Sequence, residues 1–184
     1  METILKDKIY TEQEYFKLEE GNDLRHEFIN GQLFEMLGAS TEHYLMVKRI
    51  ERLLESLFEP LGFLIYRENM KVKITGKDKY YYPDVFMTRE ANTQANRYCK
   101  HEPELIVEVS SESTFRIDAV DKLIAYQKIP FLKYYLIADP EKTQVIVYTK
   151  DNEGGWLSEA LAAKTDQLIL KKWDLSLPLQ VIYP

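Results

Sequence analysis

The sequence predicts an α/β protein of the α+β type, in which helices flank a mixed β-sheet. Three observations support this fold class. Two segments have the capping residues and apolar spacing of helices, an Asn-Gly pair separates two strand-like runs, and several later apolar runs have the length of strands. A chain of 184 residues suffices for one hydrophobic core, so a single domain spanning residues 1–184 is expected.

The N-terminal part of the chain predicts a helix, a hairpin and a second helix. Thr11 and Glu14 have the spacing of a capping box, which indicates a helix over residues 11–20. Asn30-Gly31 lies between two apolar runs and is a strong β-hairpin signal. Apolar residues recur at helical spacing over residues 40–58, so a long amphipathic helix is expected after the hairpin.

Short apolar runs beyond this helix have the composition of β-strands. They occupy residues 63–66, 70–74, 84–88, 104–109, 134–138 and 144–149. The polar stretch over residues 89–103 is predicted as a loop, residues 114–128 as a helix, and residues 152–155 as a turn. Two or three further short strands are expected in the remaining C-terminal part.

Two lysines alternate with apolar residues in the run over residues 70–74. Lys71 and Lys73 are therefore expected on one face of a strand, opposite Val72 and Ile74. Such a face is more often solvated than functional. It also suits a track of cations beside a nucleic-acid backbone, so nucleic-acid binding by these lysines is kept as a prediction.

The composition restricts the classes of partner and compartment. With 30 Asp and Glu residues against 24 Lys and Arg residues, the net charge of −6 argues against a protein that coats nucleic acid with its whole surface. A local basic groove remains compatible with this charge. The single cysteine, Cys99, excludes an internal disulfide and suits the cytoplasm. No long apolar segment or secretory leader pattern occurs, so no membrane partner is expected.

Two carboxylates stand at unusual positions in predicted strands. Asp84 follows a proline at the start of one apolar run, and Glu108 interrupts another. An unpaired buried carboxylate is costly, which suggests a partner. Mg²⁺ prefers oxygen ligands, and two acids on neighbouring strands would suit it. The alternatives are a turn residue for Asp84 and a solvent-facing acid on an edge strand for Glu108.

A lysine lies on the helix predicted after Glu108. Lys122 shares a polar face with Asp118 and Tyr126, which are four residues away on either side. Its ammonium group could orient or deprotonate a water molecule, or stabilise charge on a phosphoryl oxygen. A helical wheel raises an alternative, because the apolar residues centre about 130° from this lysine, so a single-faced helix would expose it to solvent.

These residues resemble the motif of the PD-(D/E)XK nuclease superfamily. Pro83-Asp84 and then Glu108-Val109-Ser110 match the pattern in which Asp and Glu bind Mg²⁺. The superfamily has a lysine two residues after the Glu, where this chain has Ser110. Within the superfamily, the chain resembles the bacterial family named "putative restriction endonuclease", in which a lysine on the following helix takes that role.

The resemblance extends from residue 10 to about residue 140. Its further elements are Glu27 with Asn30-Gly31, the helix residue His43, and the Asp118-Lys122-Tyr126 pattern. One element departs from the family, because Lys133 precedes Tyr134-Tyr135 where the family tends to have an acid. This departure affects packing or the rim of the site rather than the metal ligands.

The resemblance implies a restriction endonuclease-like domain that hydrolyses DNA phosphodiester bonds with Mg²⁺, for which Mn²⁺ could substitute. Asp84, Glu108 and the Val109 carbonyl would hold the metal, and Lys122 would position the attacking water. Glu27 would help to bind or orient an ion, although it could be a hairpin surface acid. His43 would contribute to catalysis, although a structural role at the helix start is equally compatible.

Two other function classes remain open from the sequence. One is a nucleic-acid-binding module that keeps the same fold without turnover. The other is an interaction scaffold, which the acidic composition favours. If the protein is an endonuclease, a homodimer would let two sites address two DNA strands, but the sequence does not specify an interface.

Overall fold

The computed structural model describes residues 8–36, 38–95, 97–110 and 115–184. Helix α1 comprises Glu12–Glu20, and both halves of the predicted capping box between Thr11 and Glu14 are present. Strands β1 (His26–Ile29) and β2 (Gln32–Glu35) form the predicted hairpin. Its two turn residues, Asn30 and Gly31, have φ angles of 51° and 86°, the left-handed values that a tight hairpin turn requires. The local sequence signals therefore fix this part of the fold.

The second helix also follows its sequence signals. Helix α2 comprises Thr41–Phe58, and the side chain of Ser40 caps it by accepting a hydrogen bond from the His43 amide. A short 3₁₀ turn, Glu59–Leu61, then ends at Gly62, which has a φ of 82°. This helix presents its apolar face to a β-sheet and brings His43, at its first turn, to the sheet edge.

The remaining elements include both predicted and unpredicted strands. In chain order they are β3 (Leu64–Arg67), β4 (Lys71–Lys73), β5 (Lys79–Tyr81), β6 (Val85–Thr88), β7 (Cys99–Lys100), β8 (Pro103–Val109), β9 (Tyr134–Ala138), β10 (Val145–Lys150), β11 (Trp156–Leu161), β12 (Gln167–Leu170) and β13 (Leu175–Pro178). Strands β5 and β7 were not predicted. They contain three and two residues, too few to show an alternating pattern.

The strands form two larger sheets and a separate two-stranded ribbon, rather than one sheet. The six-stranded sheet has the order β11-β10-β9-β8-β6-β3, and β8 and β9 are its parallel pair. The five-stranded sheet has the order β2-β1-β5-β4-β7. The α+β class is confirmed, but the single-sheet expectation is wrong, because β5 pairs with β1 of the N-terminal hairpin and β4 pairs with β5 and β7 rather than with β3.

Helices cover both faces of the six-stranded sheet. Helix α2 packs against one face through a buried cluster. The third helix, α3, consists of a π-helical segment, Ile117–Lys122, and an α-helical turn, Leu123–Tyr126. It packs against the other face, where Tyr126 also contacts Tyr81 of the five-stranded sheet. Helix α3 therefore lies at the junction of the two sheets.

None of the helices in the described part of the chain has the length and apolar character needed to cross a membrane.

Candidate active site

Strands β6 and β8 bring the two predicted metal ligands together. Val85 pairs with Val107 and Phe86 with Ile106 in an antiparallel register. Continuing this register by one residue places Asp84 opposite Glu108. Side chains of opposite residues project from the same face, with Cβ atoms about 4.5–5.5 Å apart. Asp84 and Glu108 therefore lie on one face, at the end of the paired strands.

The Asp84 carboxylate is held by two neighbouring elements. Its Oδ2 atom accepts a hydrogen bond of 2.6 Å from the Val109 amide and lies 3.3 Å from Nε2 of His43. The N–H and C=O groups of one strand residue point to the same side, so the Val109 carbonyl, like its amide, points to the β6 side of β8. Strand β8 and helix α2 thereby fix the carboxylate at the sheet edge.

The Glu108 carboxylate is buried, with 2% of the residue exposed. Its Oε1 atom accepts a hydrogen bond of 2.7 Å from the Tyr126 hydroxyl and one of 3.1 Å from Nζ of Lys122. Both donors belong to α3. Glu108 is therefore neither a solvent-facing acid nor a residue of an edge strand, because β6 and β9 flank β8.

Lys122 is buried among three carboxylates. Its Nζ atom lies 3.1 Å from Glu108, 3.3 Å from Asp118 and 3.4 Å from Glu27. The alternative of a solvent-exposed lysine, derived from the helical wheel, is wrong for this structure. The supposed apolar face is partly outward, because Val120 is 47% exposed. The face that α3 buries is the one that carries the polar side chains.

A π-helical turn accompanies this orientation. The Leu123 amide donates to the Asp118 carbonyl, five residues back, as well as to the Val120 carbonyl. Such wide turns are frequent at functional sites. The wheel assumed about 100° per residue, whereas a π turn accommodates more residues, so the faces of α3 are displaced from their predicted positions.

Glu27 reaches the same cluster from the five-stranded sheet. Its residue is 1% exposed, and Oε1 contacts Nζ of Lys122 at 3.4 Å. Its other oxygen, Oε2, is buried and has no hydrogen-bond partner among the described residues. Glu27 is therefore not a hairpin surface acid. A buried carboxylate oxygen without a donor suits a cation or a water molecule bound to one.

The cluster carries more negative than positive charge. Burial raises the pKa of Glu108 well above its usual value, and Asp84, Asp118 and Glu27 raise it further. Burial also raises the pKa of Glu27, more than Lys122 offsets. The pKa of Lys122 is raised well above its usual value, because the surrounding carboxylates outweigh its burial. The ammonium group stays charged. Its single positive charge faces three carboxylates, those of Glu27, Glu108 and Asp118.

His43 is coupled to Asp84 at the rim of the cluster. Burial alone would lower its pKa, but the hydrogen bond to Asp84 and the Asp84 charge outweigh this effect, so the pKa of His43 is raised. Its Nδ1 atom is buried without a hydrogen-bond partner among the described residues. The protonated ring is therefore stabilised chiefly through Asp84.

The donor set fits a hard divalent cation that keeps part of its hydration shell. Over the described ranges, no three His, Cys, Asp or Glu residues form a ready-made metal cluster. Mg²⁺ does not need one, because it is commonly bound by one or two carboxylates together with waters and substrate phosphates. Asp84, Glu108 and the Val109 carbonyl match this pattern, and the excess negative charge favours a cation.

A family model supplies the assignment. The model described as Uma2, "Putative restriction endonuclease", matches residues 12–180. The chain belongs to the Uma2 family. This confirms the resemblance to a restriction endonuclease-like family.

Two individual proteins are similar to this chain over most of its length. Two proteins of Synechocystis sp. (strain ATCC 27184 / PCC 6803 / Kazusa) bear the names "Uncharacterized protein slr1290" and "Uncharacterized protein sll1609". The first is 30% identical over 171 residues, covering 93% of this chain and 90% of its own. The second is 30% identical over 170 residues, covering 91% of this chain and 96% of its own.

A solved structure shares the Uma2 fold seen here. It is the crystal structure of a "putative nuclease belonging to DUF820" from Anabaena variabilis ATCC 29413. The two folds superpose with a TM-score of 0.75, covering 93% of this chain and 96% of that chain, at 14% sequence identity. This likeness confirms the fold class.

Two residues of the candidate site were identified in the sequence only through their spacing from Lys122. Asp118 forms an ion pair with Lys122, and Tyr126 donates to Glu108. Their spacing of four residues on either side of Lys122 was the available signal. Lys133, which replaces the family's usual acid, forms an ion pair with Glu104, away from the carboxylate cluster.

The two lysines predicted to bind nucleic acid have partners within the domain. Lys71 is 6% exposed, and its Nζ atom lies 5.2–5.6 Å from the ring centroids of Tyr15, Phe16 and Tyr82. Lys73 forms an ion pair of 2.9 Å with Glu12. The structure thus gives both lysines internal contacts, and their contact with DNA stays a prediction.

Proposed function

We propose that this protein is a Mg²⁺-dependent endonuclease that hydrolyses DNA phosphodiester bonds. The observation that carries this proposal is the buried ammonium group of Lys122. It lies among acidic side chains, next to the end of the paired strands β6 and β8, where Asp84 and Glu108 are located. The family name and the name of the Anabaena structure support nuclease chemistry. A cytoplasmic location and a homodimer that cuts both strands are parts of the same proposal.

Asp84, Glu108 and the Val109 carbonyl would hold Mg²⁺, with Mn²⁺ as a substitute. When bound, the metal supplies Lewis acidity, which stabilises charge on a phosphoryl oxygen and favours ionisation of a bound water. The Oε2 atom of Glu27, which has no hydrogen-bond partner among the described residues, lies in the same cluster. It would orient a water molecule or support the cation from the side of the five-stranded sheet.

Lys122 acts as a fixed positive charge in this proposal. Its raised pKa opposes loss of a proton, so it orients water or stabilises a phosphate oxygen rather than serving as a base. Tyr126 holds Glu108 in place by a hydrogen bond, and Asp118 holds Lys122 in place by an ion pair. His43 positions the Asp84 carboxylate through Nε2. The protein's contribution is thus placement and electrostatics, as phosphodiester hydrolysis requires.

Cleavage of supercoiled plasmid DNA tests the proposal. Wild-type protein should nick or linearise the plasmid with MgCl₂ or MnCl₂ and not with EDTA. Asp84→Ala, Glu108→Gln and Lys122→Ala should each lose this activity. Glu19→Gln is a matched control, because Glu19 is also a buried acid but bonds His26 and Tyr82 outside the cluster.

Two results would argue against the enzyme. Metal-dependent DNA binding without cleavage by folded wild-type protein would favour the inactive binding module. Cleavage that persists in the three site variants would indicate a contaminating nuclease or another site in the chain.

A further inference from the structure

A cleft with several charged residues in its lining lies at the end of β8 opposite the candidate site. Its volume is about 350 Å³, within the range of small-ligand sites. The lining residues are Glu104, Pro130, Phe131, Leu132, Lys133, Lys150, Asp151 and Lys172. Glu104 lies near the start of β8 and Glu108 near its end, so four residues, or about 13 Å of strand, separate the cleft from the cluster.

Two lysines of this cleft, Lys150 and Lys172, form no ion pair with an acid in the described part of the chain. Nζ of Lys150 donates to the Pro130 carbonyl at 3.1 Å, and Nζ of Lys172 donates to Oδ1 of Asn152 at 2.6 Å. Neither has a carboxylate within ion-pair distance in the described ranges. Neutral acceptors thus orient both ammonium groups, each of which keeps further N–H donors for a ligand.

Both acids of the cleft have hydrogen-bond or ion-pair partners. Glu104 forms an ion pair with Lys133. The Oδ1 atom of Asp151 accepts hydrogen bonds from the Glu153 and Gly155 amides, so that it closes the turn before β11. The lining therefore has three lysines against two acids, an excess of one positive charge in a chain whose net charge is −6. Its ligand is expected to be anionic.

An aromatic ring completes the chemistry of the cleft. Phe131 is 48% exposed, although its neighbour Leu132 is fully buried. A phenyl ring beside ammonium groups matches the combination by which proteins bind single-stranded nucleic acid, in which bases stack and phosphates contact lysines. A small inorganic anion would use the lysines but not the ring.

We propose that this basic cleft binds a single-stranded segment of nucleic acid, with Lys150 and Lys172 on its phosphates and Phe131 against a base. The role of this cleft rests on the proposed function, because a nuclease can use a second site to hold its substrate at a distance from the site of cleavage. It does not require catalysis. Binding can therefore be measured separately from cleavage.

Fluorescence anisotropy with a labelled single-stranded 20-mer of DNA, in EDTA, tests this proposal. Each phosphate contact contributes a slope of about −0.7 to the dependence of log K on log salt. The double substitution Lys150→Ala/Lys172→Ala should therefore reduce the slope by about 1.4 and weaken binding about 25-fold at 0.1 M NaCl. Phe131→Ala should weaken binding at least about fivefold and leave the slope unchanged.

Lys17→Ala/Lys77→Ala is the charge-matched control, because both lysines are exposed and lie outside the cleft. It should retain nearly all of the affinity. An equal loss in this control, or an unchanged slope in the cleft variant, would overturn the proposal, as would absence of binding by wild type. If wild type binds through the cleft but cuts no plasmid, the binding site stands and the nuclease assignment fails.

Discussion

Replacing Lys122 by methionine removes the positive charge at the centre of the acid cluster. Methionine retains much of the lysine side-chain volume, so the change is mainly electrostatic. Glu27, Glu108 and Asp118 would remain buried without a counter-charge, and removing one partner of a buried ion pair costs about 3–5 kcal/mol. That is a large share of the roughly 5–15 kcal/mol that stabilises an ordinary domain.

The loss should depend on pH in a defined direction. The pKa values of Glu27 and Glu108 are already raised in the folded wild type, so folding takes up protons at these sites. Without the ammonium they rise further. An acid whose pKa is higher in the folded than in the unfolded state makes its full contribution to stability below its unfolded pKa, about 4.3. That contribution is lost as the pH rises. Lys122→Met should therefore be nearly neutral at pH 4.5 and most destabilising at pH 8.

Urea denaturation in EDTA at both pH values measures this effect. Lys133→Met is the control, because its pair with Glu104 is partly exposed and should be worth about 1 kcal/mol or less. Added MgCl₂ should recover part of the stability lost by Lys122→Met at pH 8, since binding to the folded state stabilises it. A loss below about 1 kcal/mol at pH 8, or the same loss at both pH values, would refute the buried-ammonium argument.

Three further predictions concern single residues of the domain. Glu108→Gln should raise the free energy of unfolding at pH 8 in EDTA, because it removes a buried carboxylate whose pKa is raised by burial and by neighbouring acids; a destabilised variant contradicts this. Asp84 favours the protonated form of His43, which stabilises the fold below about pH 6.5 and less as pH rises. His43→Gln should therefore lower the melting temperature more at pH 5.5 than at pH 8.5, and equal shifts would exclude this coupling. If Lys71 contacts a phosphate as predicted, Lys71→Met should reduce the salt slope of DNA binding by about 0.7–0.9, whereas an unchanged slope would show that its contacts with aromatic rings are structural.

The elements with strong local signals were predictable from the sequence. The capping residues of α1 and α2 and the Asn30-Gly31 hairpin act through nearest neighbours along the chain, so they appear where expected. The acid in the middle of β8 was also visible, because a charge interrupts an otherwise apolar run. Its pairing with Asp84 followed from the two strands being antiparallel neighbours.

The division into two sheets was not predictable. Strand pairing depends on contacts between distant segments, and strands of two or three residues leave no periodic pattern. The alternation of Lys71 with Val72 correctly indicated a strand. It did not show that Tyr15, Phe16 and Tyr82 would enclose the lysine, since these rings come from elsewhere in the chain.

The orientation of Lys122 could not be derived from its own helix. A helical wheel assumes a regular surface helix with one apolar face. In the structure, α3 lies at the junction of two sheets and has a wider turn than an α-helix. Glu27 and Glu108, from different sheets, determine where the lysine points. Only the tertiary arrangement contains that information.

The lysine and the acids of the cluster lie on different kinds of element: Lys122 on the wide turn of α3, and Asp84 and Glu108 at the paired strands β6 and β8. Asp84 and Glu108 are anchored on a hydrogen-bonded ladder, where a shift of one residue would reverse every side chain. Lys122 comes from a short helix, where gaining or losing one residue in a single turn would re-aim the amine and leave the ladder intact. With the amine supplied by α3, position 110 needs no lysine. The Ser110 amide instead continues the strand pairing by donating a hydrogen bond to the Ala138 carbonyl.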